Sequence, residues 1–579
     1  MASIFDDFPR GHPKGHERAA LKNAPLATAS WSADAPLWRE GDLYLGQDDR
    51  SRDAGYGDDR HAITVAGSRA GKGRTIIIPN LFRWPGSCVV TDPKGENATV
   101  TALHRSKRPG HAVAVLDPCK TADVPEALRV SFNPLDLIDA ESDDAIDLAA
   151  AIGDAVMIGS GDGKDIHWNE SARQVFEGIL LYVAATEDDQ RRSLVRVRQL
   201  LTQGDRDRAK LMTAISRAES PDGEGATVSP FEALWTGMAE NEAANEAVRD
   251  VIAGAAISVM DMGENERGSV LSTARRNTKF IDSRWMRRCL EGDDASRRLN
   301  LDELKAAPGG LSVYLCLPAR FIPTHARFMR LVLNLTLFRM EAQGLTQPAC
   351  GHPVLFILDE FAALGRMDAI EKAAGLMAGF GVKLWPFLQD LGQLKRHYKE
   401  SWETFLGNAG VLQFFANADM TTLEWISKRL GKVEVVKEMA GKSISTTTSL
   451  SSSQSQTENT GWSTASGTSE GQSDMAELQS LAARDGGSGL VPFLARSSAS
   501  VVGHSSGRSV QKGQSGGSSQ QRGESSSSGT SDTSTQNEGI HIVPLMTPDE
   551  ISRIFDRESG ICISFIKGIG MPIRRNILT

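Results

Sequence analysis

No apolar run in the sequence reaches the roughly eighteen residues that a membrane-spanning helix requires. Cysteine is sparse. The six thiols (Cys88, Cys119, Cys289, Cys316, Cys350 and Cys562) are scattered, with no C-x-x-C pair and no histidine at ligand spacing. That argues against a zinc site or a disulfide framework and fits reduced thiols in a cytosolic compartment. Positive charge is not in excess either. Lys and Arg number 64 against 73 Asp and Glu, a formal net charge of -9. An overall basic footprint for nucleic acid is therefore missing, although local basic loops remain open. The opening segment, MASIFDDFPRGHPKGHERAALKN, mixes acids with bases and has no apolar centre, so it does not read as a signal peptide. The expectation is a chain with no membrane span that stays cytoplasmic.

The residues present are those of an ordinary globular protein, 40% hydrophobic and 24% charged, on a chain of 579 residues that admits more than one domain. Residues 1–60 are rich in Pro, Gly and charge and read as an arm or a small edge hairpin. From residue 61 short apolar runs alternate with helical stretches: AITVAG, SCVVTD and HAVAVLDP are strands, which argues for a parallel sheet. The helix in GRTIIIPNLFRW is expected to be short or kinked, because Pro79 sits inside it. Residues 61–140 are thus the first part of an α/β domain. Residues 141–300 have helical spacing and read as an all-α insertion. The sheet pattern resumes over 301–440 with GLSVYLCLP, PVLFILDEF, GVKLWPFLQD and GVLQFFAN. Residues 441–537 are rich in Ser, Gly, Thr and Gln. They read first as a flexible loop and otherwise as exposed edge strands. Residues 538–579 return to folded sequence.

The chemistry gathers at two places. HAITVAGSRAGKGRTIIIPNL (residues 61–81) is a strand, a Gly-rich turn and a helix start. This is the arrangement in which backbone N–H groups cradle phosphates. The cradle comprises Ala66, Gly67, Ser68, Arg69, Ala70, Gly71, Lys72, Gly73, Arg74 and Thr75. Lys72 is placed to reach the β- and γ-phosphates. Gly73 stands where a Ser or Thr hydroxyl usually touches magnesium. Water can replace that ligand, since magnesium keeps several waters, and Thr75 is an alternative. A Gly-rich turn with a surface lysine is a weak signal alone. The second place strengthens it: VLFILDEF is an apolar strand that delivers Asp359 and Glu360 at its end. Two acids on a buried strand are costly without a purpose. In a P-loop ATPase the Asp holds Mg2+ through water and the Glu acts on the attacking water. Gln389 ends the strand KLWPFLQD, where an amide can sense the γ-phosphate or that water. TDPKGE (residues 91–96) has ideal β-turn chemistry, and Lys94 and Glu96 are further candidates to face the nucleotide or a neighbour. There is no Asn-Lys-x-Asp motif, which argues against a GTPase, and no LSGGQ-like signature, which argues against an ABC ATPase.

The blocks AGSRAGKGRTIIIPNL, VVTDPKGEN, FNPLDLI, HWNESAR, LFILDEFAALGRM, GVKLWPFLQDLGQLK, TFLGNAGV and PLMTPDE occur in this order. Together they resemble the type IV coupling proteins, the TraG-type ATPases of conjugation and type IV secretion, over roughly residues 60–440 and 540–579. The resemblance implies a RecA-like domain with the all-α insertion receiving substrate. It also implies a homo-hexamer around a channel, with ATP and Mg2+ bound between subunits. Lys72 would be the P-loop lysine, Asp359 and Glu360 the Walker B pair, and Gln389 the sensor. The implied partners are single-stranded DNA carrying a relaxase, effector proteins, and the type IV secretion channel. Such proteins usually begin with two membrane helices. This sequence has no such span, so the expectation is a chain in the cytoplasm, or at the inner membrane through a partner. No arginine finger is assigned: Ala378 occupies one family position, leaving Arg366 and Lys383 as candidates. The alternatives from the sequence are a soluble effector-recruiting adaptor, in which ATP serves assembly, and a scaffold with a degenerate P-loop.

Overall fold

The computed structural model describes residues 36–48, 51–158, 163–220, 225–292, 297–451, 525–568 and 573–576. Its strands in chain order are β1 (Leu43–Gln47), β2 (Asp53–Tyr56), β3 (His61–Ala66), β4 (Cys88–Asp92) and β5 (Ala112–Leu116). They continue with the short pair β6 (Val130–Ser131) and β7 (Arg297–Arg298), then β8 (Leu311–Cys316), β9 (Val354–Leu358), β10 (Val382–Leu388) and β11 (Ala409–Phe415). The last four are β12 (Lys432–Ser451), β13 (Ser525–Pro544), β14 (Ile561–Ile566) and β15 (Ile573–Asn576). Eleven of them form one sheet in the order β2-β1-β15-β14-β11-β3-β10-β9-β4-β8-β5. From β11 to β5 every pairing is parallel. The strands beyond β11 are antiparallel. The protein is α/β, with a mainly parallel, RecA-like central sheet.

Period-two alternation sends neighbouring side chains to opposite faces of this sheet. In β9, Val354, Phe356 and Leu358 join one apolar core, while Leu355 and Ile357 join the other. In β3, Ile63 and Val65 face the first core, and Ala62 and Ala66 the second. Strands covered on both faces read as continuous apolar runs, as these do. The second core is closed by Ile76, Ile77 and Leu81 after β3, and by Ala98 and Ala102 of helix Glu96–Ser106.

The first core is closed by helix Ile322–Ala342 and by the helices of the stretch expected to be an insertion. Those helices start where the sequence supplies caps. Ser193, Asp205, Ser229 and Asn245 each accept a backbone N–H of the following turn, worth about 1 kcal/mol apiece. They do not form a separate unit. Leu148, Ile152, Phe176 and Ile179 share one continuous core with Ile63, Val65 and Phe356 of the sheet.

Two compact units divide the chain. One takes the described residues up to Val435 and from Ile540, the other those from Val436 to Gly539. The two 20-residue strands β12 and β13 pair with each other in a sheet of their own. Residues 441–451 and 525–537 are therefore strand rather than loop. The rest of the Ser-rich expectation, residues 452–524, lies outside the described residues.

Candidate functional site

The parallel strands set the direction of the site, because all seven end on one edge. β3 runs into the Gly-rich turn there. At Gly67 an added Cβ would stand 2.0 Å from the Ala416 carbonyl oxygen, so only glycine lets the turn leave β3 beside β11. Gly71 has φ +85 and Arg69 φ +58, left-handed conformations that fold the loop back on itself. The next turn is wide. Ile78 N–H bonds to the Gly73 carbonyl over Gly73–Ile77, one residue further back than in an α-helix. Pro79 lies in the first turn of helix Ile78–Arg83, where its missing N–H costs nothing. The expected short helix is thus a π-turn followed by a short α-helix.

Lys72 and the two acids meet although 287 or more residues separate them in sequence. The Lys72 ammonium stands 3.1 Å from Asp359 Oδ1 and 3.1 Å from Glu360 Oε1. Gln389 Nε2 donates to the other Glu360 oxygen, Oε2, at 3.1 Å. Glu360 itself has φ 51, a left-handed conformation for a residue with a side chain. Such conformations cost about 1–3 kcal/mol and concentrate at working sites. Its backbone N–H donates to Asp359 Oδ1 at 3.0 Å, which ties the pair together. Burial raises the Asp359 carboxyl above the usual carboxylate range, and the Lys72 ammonium opposes that rise.

Neighbouring residues hold these groups in place. Thr91, at the end of β4, donates its hydroxyl to the Asp359 carbonyl at 2.8 Å. Gln389 N–H donates to Gln393 Oε1 at 3.0 Å, and Asn417 Nδ2 donates to the Gln389 carbonyl at 3.4 Å. Nothing in the sequence marked Gln393 or Asn417. Thr91 had one signal, its place at a strand end directly before an acid. That acid, Asp92, is buried and pushed up to about 6, chiefly by burial, while its Oδ2 accepts Ala98 N–H at 2.8 Å.

The remaining candidates separate. Ser68, Arg69, Gly71 and Arg74 are exposed on the turn, Ala66 and Ala70 are buried, and Gly67 and Gly73 lie between. Thr75 is buried, and its hydroxyl donates to the Gly71 carbonyl at 3.0 Å. TDPKGE forms the turn its composition calls for: Gly95 N–H donates to the Asp92 carbonyl at 3.2 Å, with Lys94 and Glu96 exposed. Arg366 is paired with Asp368 and Glu371. Lys383 is buried, and its ammonium bonds to the Asp58 carbonyl and lies 5.2 Å from the centre of the Tyr56 ring. A side chain held this way cannot act as a finger toward a neighbour, which removes it from the candidates.

Residues 21–461 match the family model described as type IV secretory system conjugative DNA transfer. The chain belongs to that family. Among its relatives, a conjugal transfer protein TraG of Escherichia coli is 28% identical, over 65% of this chain and 56% of the relative. Protein VirD4 of Agrobacterium fabrum is 27% identical, over 65% of this chain and 50% of the relative. The chain thus spans about half the length of these relatives. Among solved structures, the conjugative coupling protein TrwBdeltaN70 in complex with sulphate superposes with a TM-score of 0.52 at 12% identity, covering 96% of each chain. Plasmid coupling protein TrwB in complex with the ATP analogue ADPNP gives 0.51 at 12% identity, covering 96% of this chain and 95% of that one. At that identity the likeness carries the family's fold. Among the described residues no helix is long and apolar enough to cross a membrane, and no cluster of three or more His, Cys, Asp or Glu could hold a metal ion.

Proposed function

We propose that this member of the family is an ATP-hydrolysing motor that drives DNA, as a relaxase-bound single strand, or protein substrates into a type IV secretion channel. The arrangement of Lys72, Asp359, Glu360 and Gln389 carries the reading. One cation, two acids and an amide that touches one of them converge where a Gly-rich turn leaves a parallel strand. A scaffold with a degenerate loop has no use for a half-buried acid pair, a counter-cation and a strained Glu360 together.

The residues fit magnesium and a nucleotide, by an exchange of partners. Lys72 now neutralises Asp359 and Glu360. Turned toward a polyphosphate instead, its ammonium would leave Asp359 to face Mg2+. Gly73 offers no hydroxyl, and the Thr75 hydroxyl is spent on Gly71, so water would complete the metal's shell. Magnesium bound there would neutralise the charge that builds on the phosphates during transfer. Glu360 is the base that orients water, and Gln389 fixes the Glu360 carboxylate from its far side. Assembly of six copies, with each site completed by a neighbour, belongs to the same proposal.

The test is a pair of variants. Lys72→Ala should lower turnover about 10²-fold or more and weaken ATP binding, whereas Glu360→Gln should lower turnover comparably and keep ATP bound. Near-normal hydrolysis by either variant contradicts the assignment.

A further inference from the structure

The sequence has a deficit of positive charge overall and local surpluses, one of them at residues 267–288. From Arg267 to Arg288 there are six Arg and one Lys against a single acid, Asp282. Part of this surplus serves the fold. Arg267 donates to the Met262 carbonyl, Arg275 to the Leu201 carbonyl, and Arg287 lies 3.8 Å from Asp282. Arg284 and Arg288 do not. Both are exposed, and neither has an ion pair within 4 Å among the described residues. They lie four apart on helix Arg284–Glu291, on one face.

Trp285 stands beside them, half-buried. Its ring lies 5.3 Å from Phe321 at 36°, and 4.5 Å from His325 at 35°. His325 is braced by Ser283 Oγ at 3.1 Å and Thr324 Oγ1 at 2.7 Å. The guanidinium of exposed Arg320 lies over the Phe321 ring at 4.9 Å. Two half-buried rings, packed in part against the first core, are thus edged by three exposed arginines that make no ion pair within 4 Å among the described residues. Arg320 and Phe321 follow the end of β8, so this platform lies on the same sheet edge as Lys72. In the order β3-β10-β9-β4-β8 it is four strands away, about 19 Å.

We propose that Arg284, Trp285, Arg288, Arg320 and Phe321 form a contact surface for single-stranded nucleic acid. The inference rests on the DNA-moving reading above and gives it residues. Guanidinium groups outside ion pairs fit a phosphate backbone, and half-buried aromatic rings at the surface fit unpaired bases. A duplex fits less well, because its bases are already stacked on each other. An acidic protein would satisfy the arginines and leave the rings unused.

The experiment is fluorescence anisotropy of a labelled oligothymidylate with the full chain, titrated with salt. Trp285→Ala should weaken binding roughly tenfold. The double variant Arg284→Ala with Arg288→Ala should lower the log–log salt slope by about 1.4, as expected for two lost single-strand phosphate contacts. Both should bind a fluorescent ATP analogue like the parent. The two arginines are exposed, so the double variant stays informative if Trp285→Ala fails to fold. A parent that binds the oligonucleotide while both variants match it in affinity and slope overturns the surface and leaves the DNA-moving reading intact. A parent that binds no oligonucleotide overturns both. Oligoglutamate competing as well as oligothymidylate overturns the assignment to nucleic acid.

Discussion

Lys72 and Lys383 sit at opposite edges of the same parallel strands and are held in opposite ways. Lys72 follows the end of β3 and stands between two carboxylates. Lys383 is the second residue of β10. It is buried to 2% exposure on a carbonyl and a tyrosine ring. Arg105 repeats the second pattern at the Lys383 edge. Fully buried, it donates to the carbonyls of Leu81, Trp84 and Gly86 and to the Ser312 hydroxyl. A cation among neutral acceptors fixes backbone, and nothing that binds from solution can take its place. A cation among carboxylates can be exchanged for another cation. The two edges divide the work between permanence and exchange.

The largest effect should come from the permanent edge. Arg105→Ala removes four buried bonds and strands the Leu81 and Gly86 carbonyls, while the Trp84 carbonyl keeps Arg108 and the Ser312 hydroxyl keeps His111. It should cost about 3 kcal/mol or more, since bonds to a charged donor are worth about 1.5–3 kcal/mol each. Chemical denaturation measures this, and a loss under about 1 kcal/mol would erase the distinction between the edges.

Next comes the exchangeable edge. Lys72→Ala should remove about 2.7 kcal/mol or more of transition-state stabilisation, the equivalent of the hundredfold rate loss expected above. It should leave the unfolding midpoint within a few degrees of the parent's. A large fall in stability would make Lys72 another structural cation.

A smaller effect separates the edges by pH. Burial lowers the Lys383 ammonium to about 8, and Asp58, Asp42 and Asp59 oppose the shift. Between that value and about 10.4 the unfolded chain binds more protons than the native one, so stability attributable to this group rises with pH. The slope is at most about 1.4 kcal/mol per pH unit. Lys383→Met should remove that rise, and the difference between variant and parent from pH 7.5 to 9.5 isolates it. Parallel curves would mean that Lys383 titrates as if exposed.

The smallest effect probes the missing hydroxyl. No atom lies within 4 Å of the place a Gly73 Cβ would take. Gly73→Ser should therefore fold with a stability change within about 0.5 kcal/mol. If magnesium lacks a protein hydroxyl at this site, the variant should need severalfold less Mg2+ for half-maximal turnover. An unchanged or higher requirement would place the metal elsewhere.

The exchangeable edge was largely legible in the sequence, because its signals are local. A Gly-rich turn, two acids and an amide each end a short apolar run, and each was read from a few neighbouring residues. The permanent edge was not. Arg105 sits in LHRSKRPG and reads as one of several surface cations, since its acceptors come from other elements. Lys383 was even read as a candidate finger. Short apolar runs gave β9 and β10 as strands, and the parallel sheet followed from strands alternating with helices. The antiparallel addition of β14, β15, β1 and β2 did not follow, because strand order depends on contacts between distant segments. The Ser-rich segment misled as well. Its Ser, Gly, Thr and Gln composition put a flexible loop ahead of exposed strands, and along β12 and β13 the backbone pairs.

The clasp of Lys72 by Asp359 and Glu360 has a consequence for how the site fills. A divalent cation arriving alone meets acids already neutralised by the ammonium, with two contacts of 3.1 Å to break. A polyphosphate arriving alone must draw that ammonium away and leave two carboxylates side by side. Arriving together, each relieves the penalty of the other: the phosphates take the lysine and the metal takes the acid. On the proposed reading the pocket would therefore work as a coincidence detector, closed to either ion by itself and open to the pair.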